Sequence, residues 1–261
     1  MLLSTGLIKP PLTGRNSKPR ADGLTMVIDK GLPLEATDSW LKLNADFIDY
    51  IKLAFGTMML YPQEILTAKI RLSQKYQIPI YPGGTFLEIA LWEQKFDTCL
   101  ENLKQLGFEW LEISDGTLTI SPSERQNLIA KAIQAGFQVI TEVGKKDTAN
   151  QPHIAAIARL VLDDLAAGAK KVIIEARESG TGIGIYDQEG GIITEKVEVL
   201  REALPIDKII WEAPLKKQQV ELIKLFGPNV NLGNLAPTEV MALEALRRGL
   251  RNDTWKPLLK S

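Results

Sequence analysis

A single-domain (β/α)8 barrel, the TIM barrel, is the fold class that this sequence predicts, and three observations predict it. The chain has 261 residues, short apolar runs of β type recur along it, and segments of helix type separate these runs. Eight such pairs in about 260 residues match the size of this barrel. An open, doubly wound parallel sheet is the alternative fold with the same alternation.

The predicted strands are rich in Ile, Val, Leu and aromatic residues and lie close to Gly or Pro, as buried parallel strands do. They are residues 24–29, 47–55, 78–81, 109–114, 138–143, 171–176, 208–213 and 229–233.

The segments between them carry helix signals. Ser121, Pro122 and Glu124 supply an N-cap, a proline at the first helical position and a capping-box glutamate. Thr85 and Glu88 have the spacing of a second capping box. Four predicted strands are preceded by a glycine, which can adopt the left-handed conformation that commonly ends a helix. These glycines are Gly107, Gly136, Gly168 and Gly227.

The domain organisation follows from the same pattern. Residues 1–23 are polar and interrupted by prolines, so we expect an irregular N-terminal lead-in. The barrel then occupies residues 24–252, and residues 253–261 form a C-terminal tail. No low-complexity linker or shift in composition indicates a second domain.

Composition excludes several classes of protein. Lys plus Arg total 31 against 32 for Asp plus Glu, which is not the charge balance of a dedicated nucleic-acid binder. The single cysteine excludes an internal disulfide, and the single histidine excludes a His-rich metal site. No apolar run is long enough for a membrane span, and the N-terminus lacks a signal-peptide core. We therefore expect a soluble cytoplasmic protein without a membrane partner.

Acidic residues mark the carboxyl ends of four predicted strands, where the functional face of such a barrel lies. They are Glu112, Glu142, Glu175 and Glu212. One such glutamate alone favours a solvated strand end or a salt bridge, but four on neighbouring strands favour a site. Burying several carboxylates requires cations. An oxygen-only set suits Mg²⁺, and the remaining alternative is neutralisation by lysine and arginine.

Basic and small residues complete this predicted site for a polyanionic substrate. A lysine near these carboxylates is either a proton donor or their ion-pair partner, and spacing leaves both open. The glycine-rich residues 178–191 form a lid, an anion-binding nest or a flexible loop. The candidate substrate ligands are Lys18, Arg20, Asp29, Lys52, Arg177, Asn231, Gly233 and Asn234.

The residues now described resemble the phosphosulfolactate synthase family. The resemblance runs from about residue 15 to 250 and is carried by six motifs. They are KPRADGLTMVIDKGL (18–32), IKLAFGT (51–57), YPGGT (81–85), EISDG (112–116), EVGKK (142–146) and EARESG (175–180).

This resemblance implies a barrel that adds sulfite to phosphoenolpyruvate with Mg²⁺, giving (2R)-phospho-3-sulfolactate. In archaeal members this step leads to coenzyme M, and the family associates as trimers. Lys145 matches the lysine proposed as the family's acid/base, and Arg20, Lys52 and Arg177 match its anion-binding surroundings. The family also includes plant heat-stress-associated proteins.

The resulting hypothesis assigns a role to each group. Lys145 and Glu112 are catalytic, with Lys145 protonating C2 of the substrate, and Glu112, Glu142 and Glu175 hold Mg²⁺. The partners are small molecules and further copies of the chain. Two alternatives are a non-catalytic, stress-associated member of the family and another lyase that forms an enediolate.

Overall fold

The computed structural model describes residues 9–145 and 152–258 of the chain. In this part, eight parallel strands form one sheet in the order β3-β2-β1-β8-β7-β6-β5-β4. The two end strands of that order, β3 and β4, lie against each other, so the sheet curls into a nearly closed barrel. The predicted (β/α)8 fold is therefore confirmed, and the open doubly wound sheet is excluded.

A strand overlaps each of the eight predictions, although several strands are shorter than expected and the last begins three residues later than the predicted run 229–233. They are β1 Thr25–Asp29, β2 Tyr50–Leu53, β3 Ile80–Pro82, β4 Trp110–Ser114, β5 Gln138–Val143, β6 Lys171–Ile174, β7 Ile209–Glu212 and β8 Leu232–Leu235. The second run, 47–55, contains a short strand because 3-10 turns at Ala45–Phe47 and Ala54–Leu60 flank it. Glu175 directly follows β6 rather than lying within it.

Helices cover the outside of this barrel. They are α1 Leu34–Asn44, α2 Gln63–Lys75, α3 Gly84–Trp92, α4 Phe96–Leu106, α5 Pro122–Gln134, α6 Ile154–Ala166, α7 Thr194–Ala203, α8 Lys216–Phe226, α9 Val240–Arg247 and α10 Asn252–Leu258. None of the described helices has the length and apolar character needed to cross a bilayer.

The capping predictions had different outcomes. Ser121 caps α5 as expected, because its side chain accepts a hydrogen bond from the backbone N–H of Glu124 at 3.2 Å. The predicted capping box at Thr85 and Glu88 is wrong. Helix α3 begins one residue before Thr85, with Gly83 at its N-cap, and the Glu88 carboxylate binds elsewhere.

The two ends of the chain differ from one another. The described part of the predicted lead-in, residues 9–23, contains neither helix nor strand, and residues 1–8 lie outside the described residues. The predicted tail, residues 253–261, is helical where it is described and packs as α10 against α8 and α9. Thr254 of this helix is fully buried. Residues 259–261 lie outside the described residues.

A cluster of large, mostly apolar side chains fills the interior of the barrel. They are Met26, Tyr50, Tyr81, Ile140, Ile173 and Ile210, with Trp110 partly buried beside them. Since side chains on a strand alternate between its two faces, residues two positions further along also point inward. This alternation positions the site at the carboxyl ends of the strands.

Candidate active site

A polar layer lies directly above the apolar interior. Two residues beyond Tyr50, Trp110, Ile140, Ile173 and Ile210 come Lys52 and the four strand-end glutamates, Glu112, Glu142, Glu175 and Glu212. All five side chains are buried. Side chains two positions apart on a strand point to the same face. These five side chains therefore point into the barrel together and form one ring of charges at its mouth.

A cavity of about 320 Å³ opens at this ring. Its charged lining residues are Lys52, Glu142, Glu175, Arg177, Glu178 and Glu212, and Asn234, Thr117 and Phe55 also line it. The three predicted ligands Lys52, Arg177 and Asn234 are thus brought together. They are joined there by the carboxylates that the sequence placed at the same end of the barrel.

Lys52 lies at the centre of the carboxylates. Its Nζ is 2.9 Å from Oε1 of Glu112, 2.6 Å from Oε2 of Glu142 and 3.8 Å from Oε1 of Glu212. Burial alone disfavours the charge on this ammonium. The three carboxylates together outweigh burial and hold the pKa of Lys52 well above its usual value. The ion-pair interpretation is confirmed for this lysine.

Glu112 is the carboxyl most affected by this environment. Its Oε1 accepts hydrogen bonds from the Gly84 N–H at 2.7 Å and from Lys52, whereas its buried Oε2 has no hydrogen-bond partner among the described residues. Burial raises the pKa of Glu112 to about 7, against the opposing effect of the Lys52 charge. Glu112 can therefore gain or lose a proton near neutral pH. Burial also raises the pKa of Glu212.

The approach of α3 to β4 requires glycine at position 84. A Cβ atom on Gly84 would lie 2.3 Å from Oγ of Ser114 and 2.6 Å from its Cβ. Without that atom, the backbone N–H at the start of α3 reaches Glu112. The YPGGT motif thus has a local structural reason, which is a close contact between a helix start and a strand end.

Arg177 and Asn234 share an unusual backbone conformation and are linked by a hydrogen bond. Both have positive φ angles, 61° for Arg177 and 60° for Asn234. The Arg177 N–H donates to Oε1 of Glu175 at 2.6 Å, and Nδ2 of Asn234 donates to the Arg177 carbonyl at 3.1 Å. This second bond leaves Oδ1 of Asn234, which has no hydrogen-bond partner among the described residues, as an acceptor at the cavity wall.

Lys145 is held by the loop after β4. Its Nζ donates to Oδ2 of Asp115 at 2.8 Å, to the Leu118 carbonyl at 2.8 Å and to the Asp115 carbonyl. Thr117 of the same loop lines the cavity. The ammonium of Lys145 is therefore bonded to the same loop that contributes Thr117 to the cavity lining. Residues 146–151, which follow it, lie outside the described residues.

Three predicted substrate ligands lie at the amino ends of the strands, which is the opposite end of the barrel. Arg20 pairs with Asp49 just before β2, with Nη2 2.7 Å from Oδ2, and Lys18 donates to the Ala45 carbonyl at 2.8 Å. Asn231 precedes β8 and donates to the Ile209 carbonyl at 2.9 Å. The lead-in crosses the bottom of the barrel, so a substrate in the cavity does not reach these side chains.

Two further predicted ligands also face away from the cavity. Asp29 points outward from β1 to α2, where its Oδ2 is 2.6 Å from Nζ of Lys69. Gly233 lies deeper in the barrel, where a Cβ atom would be 2.6 Å from Cε of Met26. Its small size serves the packing of the interior.

The glycine-rich segment 178–191 is fastened to the barrel rather than open. Ile183, Ile185 and Tyr186 are buried, and the Tyr186 hydroxyl donates to the Glu212 carbonyl at 2.6 Å. Gln218 of α8 also donates to the Gly180 carbonyl at 2.7 Å. These contacts hold the segment against the barrel, and its residue Glu178 lines the cavity.

Sequence reasoning missed two buried residues that hold the loop after β4. Glu88 of α3 accepts hydrogen bonds from the Thr117 and Leu118 N–H groups, each at 2.8 Å. Arg125 of α5 pairs with Asp115, with Nη1 2.9 Å from Oδ1. The spacing of Glu88 from Thr85 indicated a capping box instead, and Arg125 has no signal in the sequence beyond an ordinary helix position. The position of Glu212 on its strand predicts the fourth glutamate of the ring but no individual role for it.

The cavity is more acidic than basic. Among the described residues, four carboxylates and two cations line it. No three acidic, His or Cys side chains of the described residues are grouped so as to hold a metal ion by themselves. Mg²⁺ commonly uses one or two carboxylates and completes its shell with substrate oxygens and water. Glu142 and Glu175, which line the cavity, supply donors of that kind, so the donor set fits Mg²⁺ beside an anionic substrate.

Proteins of known function are similar in sequence to this chain along most of its length. The model of the (2R)-phospho-3-sulfolactate synthase (ComA) family matches residues 13–253. The phosphosulfolactate synthase of Methanothermobacter thermautotrophicus is 44% identical over 249 residues, covering 95% of each chain. That of Methanocaldococcus jannaschii is 47% identical over 235 residues, covering 89% of this chain and 94% of its own.

Two more distant similarities complete the comparison. Protein HEAT-STRESS-ASSOCIATED 32 of Arabidopsis thaliana is 23% identical over 265 residues, covering 89% of this chain and 88% of its own. The crystal structure of 3-hexulose-6-phosphate synthase from Salmonella typhimurium covers 91% of this chain and 99% of its own, with a TM-score of 0.55 and 15% identity. That likeness shows the barrel fold alone.

The family match and the strong identity to two synthases agree with the fold and with the ring of charges at its mouth. The chain belongs to the (2R)-phospho-3-sulfolactate synthase family.

Proposed function

We propose that this protein adds sulfite to phosphoenolpyruvate and forms (2R)-phospho-3-sulfolactate, as a carbon–sulfur lyase of its family. The observation that carries the proposal is the buried ring of Lys52 with Glu112, Glu142 and Glu212 at the mouth of a family-member barrel. Family membership alone supports the reaction class. The ring adds charged groups at the place where a barrel enzyme performs its chemistry.

The reaction brings two anions together, so the site must supply positive charge. Lys52 and Arg177 line the cavity and are the cations available to the phosphate, carboxylate and sulfite groups. Fixed cations in a site shielded from water attract anions more strongly than they would in bulk solvent. They also hold the two reactants close together, which lowers the entropic part of the barrier.

Sulfite attacks C3 of phosphoenolpyruvate, and a carbon–sulfur bond forms. The electron pair of the C2–C3 double bond moves to C2 and is delocalised into the substrate carboxylate. A proton is then added at C2, which completes the addition. Lys145 donates this proton in our proposal, from the position in which Asp115 and Leu118 hold its ammonium. The resulting amine regains a proton from solvent.

Mg²⁺ is part of the same proposal, with Glu142 and Glu175 as its protein ligands. When bound, the ion supplies positive charge that stabilises the negative charge developing on the substrate. Glu112, the third ligand expected from the sequence, is not among the residues that line the cavity, and its Oε1 is engaged by Gly84 and Lys52. Its role here is to hold Lys52 and to keep a proton near the site.

The proposal extends to the assembly and location of the protein. Exposed apolar side chains lie on the 3-10 turn Ala54–Leu60 and on α3, which contact each other. They are Phe55, Met59, Leu60, Ile89 and Trp92. An exposed apolar patch of this kind marks an interaction surface. We propose that it joins copies of the chain in a homo-oligomer, a trimer by resemblance to the family, in the cytoplasm.

The function is tested by incubating the purified protein with phosphoenolpyruvate, sulfite and Mg²⁺ while following the loss of enol absorbance. Mass spectrometry then identifies the product. Sulfite-dependent loss in the wild type, and its reduction in Lys145→Ala, support the proposal. The Asp97→Asn variant, altered in an exposed pair with Lys131, serves as a control and is expected to keep full activity.

Three outcomes would contradict the proposal in different ways. Turnover with another nucleophile but not with sulfite would indicate a different lyase that forms an enediolate. A folded protein without turnover would favour a non-catalytic role, as in a stress-associated relative. A Lys145→Ala variant with the wild-type rate would remove only the proton-donor assignment.

A further inference from the structure

We propose that Asp115, oriented by the buried Arg125, is a positioning residue for Lys145 during sulfite addition. This inference rests on the proposed function, because it concerns the lysine assigned there as the proton donor. Asp115 does not contact the substrate in this proposal. It acts by setting where the Lys145 ammonium lies.

Arg125 anchors the arrangement from inside the protein. Its side chain is 1% exposed and extends from α5 between the outer helices and the barrel. The guanidinium donates to both oxygens of Asp164 on α6, at 2.8 and 2.7 Å, and to the Glu142 carbonyl on β5 at 2.9 Å. Because the guanidinium is planar, these partners of Nε and Nη2 also fix the direction in which Nη1 points.

The Nη1 group of Arg125 points at Asp115. Nη1 of Arg125 donates to Oδ1 of Asp115 at 2.9 Å, and Nζ of Lys145 donates to Oδ2 at 2.8 Å. Each carboxylate oxygen therefore takes a different cation. The rigid arginine fixes the orientation of the carboxylate, and the carboxylate fixes the position of the flexible lysine.

The loop that carries Asp115 is held from its other side by Glu88. This carboxylate accepts the N–H groups of Thr117 and Leu118, and it also accepts the Ser114 hydroxyl at 2.6 Å. The Leu118 carbonyl and Oδ2 of Asp115 then contact the same ammonium. Glu88 on α3 and Arg125 on α5 thus hold this short loop in place from two sides. The loop in turn holds the Lys145 ammonium in position.

A proton donor must be within hydrogen-bond reach of the atom that it protonates. A displacement of about 1 Å can reduce a rate on the order of 100-fold. Without the Asp115 carboxylate, the long Lys145 side chain samples positions from which it does not reach C2. Binding of the substrate, which Lys52 and Arg177 perform, is unaffected.

The test is a double-mutant cycle between Asp115→Asn and Lys145→Ala, measured as kcat and KM with phosphoenolpyruvate, sulfite and Mg²⁺. The amide retains an oxygen for Arg125 and loses the acceptor for Lys145. We expect kcat of Asp115→Asn to fall on the order of 10- to 100-fold, with both KM values within about twofold. In the Lys145→Ala background, the same substitution is expected to cost less than about twofold.

Control variants separate positioning from stability. Asp97→Asn makes the same chemical change in an exposed aspartate–lysine pair and is expected to leave both constants unchanged. Asp115→Glu keeps the carboxylate but displaces it by one methylene, so a lower kcat with unchanged KM is expected even if Asp115→Asn does not fold. Circular dichroism melting checks that each variant is folded.

Either of two results would overturn the inference. One is a folded Asp115 variant with the wild-type kcat, and the other is an equal loss of kcat whether or not Lys145 is present. The second result would mean that Asp115 serves the fold in general. By contrast, an inactive wild type, or a fully active Lys145→Ala, would overturn the proposed function or its proton donor, and this inference with it.

Discussion

The side chain of Lys52 crosses the mouth of the barrel from β2, and its ammonium lies 2.6 Å from Oε2 of Glu142 on β5. These strands are not neighbours, since β1, β8, β7 and β6 separate them in the sheet. The contact therefore joins two sides of the barrel. Because both side chains are buried, the pair also fixes a charge distribution that solvent does not screen.

Replacing Lys52 with methionine is expected to destabilise the protein strongly. The substitution leaves Glu112, Glu142 and Glu212 without the cation at their centre, and removing one partner of a buried ion pair costs about 3–5 kcal/mol. Urea denaturation of Lys52→Met measures the loss. Lys131→Met provides a control, because its pair with Asp97 is exposed and is expected to contribute less than about 1 kcal/mol. Equal losses in both variants would contradict the argument.

The contribution of Glu112 to the free energy of unfolding is expected to fall as the pH rises from 5 to 8. Burial raises the folded-state pKa of Glu112 from 4.5 to about 7. Between these values the folded state holds a proton that the unfolded state has lost, so its stabilising effect is present below pH 4.5 and is lost as the pH rises through about 7. The shift corresponds to about 3 kcal/mol at most.

Urea denaturation of wild type and Glu112→Gln at several pH values checks this expectation. The glutamine does not titrate, so the stability difference between the two proteins should change across this interval, with the wild type losing more as pH rises. A difference that stays constant with pH would show that Glu112 does not titrate there. Other groups that titrate alike in both proteins cancel in this comparison.

The fold and the ring of charges were predictable because both follow from periodicity. Strands spaced by helices predict the barrel, and a glutamate at the same late position of successive strands predicts inward side chains at one end. Glu142 and Glu175 illustrate this, since both line the cavity. The sequence left open whether basic side chains or a divalent cation would neutralise these carboxylates, and the structure shows that Lys52 pairs with three of them.

Other parts of the site depend on contacts between distant segments, which local patterns do not contain. The lead-in crosses the amino ends of the strands because Arg20 pairs with Asp49, and nothing near Arg20 in the sequence indicates that end. Asn231 and Asn234 are three residues apart, yet they lie at opposite ends of β8. Glu88 and Arg125 are on helices, and their loop contacts exist only once those helices pack against β4 and β5.

Glu175→Gln is expected to weaken Mg²⁺ binding by at least about tenfold, since even residues that support a metal ligand change affinity by 10–100-fold. Calorimetric titration of Mg²⁺ in the presence of phosphoenolpyruvate measures this without turnover. Glu178→Gln is the matched control, because this glutamate lines the cavity at its exposed rim and pairs with Lys30. Unchanged affinity in Glu175→Gln, or an equal loss in both variants, would contradict the assignment of Glu175 as a ligand.

Trp92→Glu is expected to dissociate the proposed homo-oligomer. Trp92 of α3 is 74% exposed in the isolated chain and belongs to the apolar patch with Leu60, which is 82% exposed. A buried tryptophan is a frequent energetic centre of an interface, and a charge placed there must be desolvated on assembly. Light scattering after size exclusion measures the assembly. Trp255→Glu on α10 makes the same change at an exposed tryptophan outside the patch, so its assembly should match that of the wild type. A wild type that remains a single chain, or a Trp92→Glu protein that assembles normally, would show that this patch does not join copies of the chain.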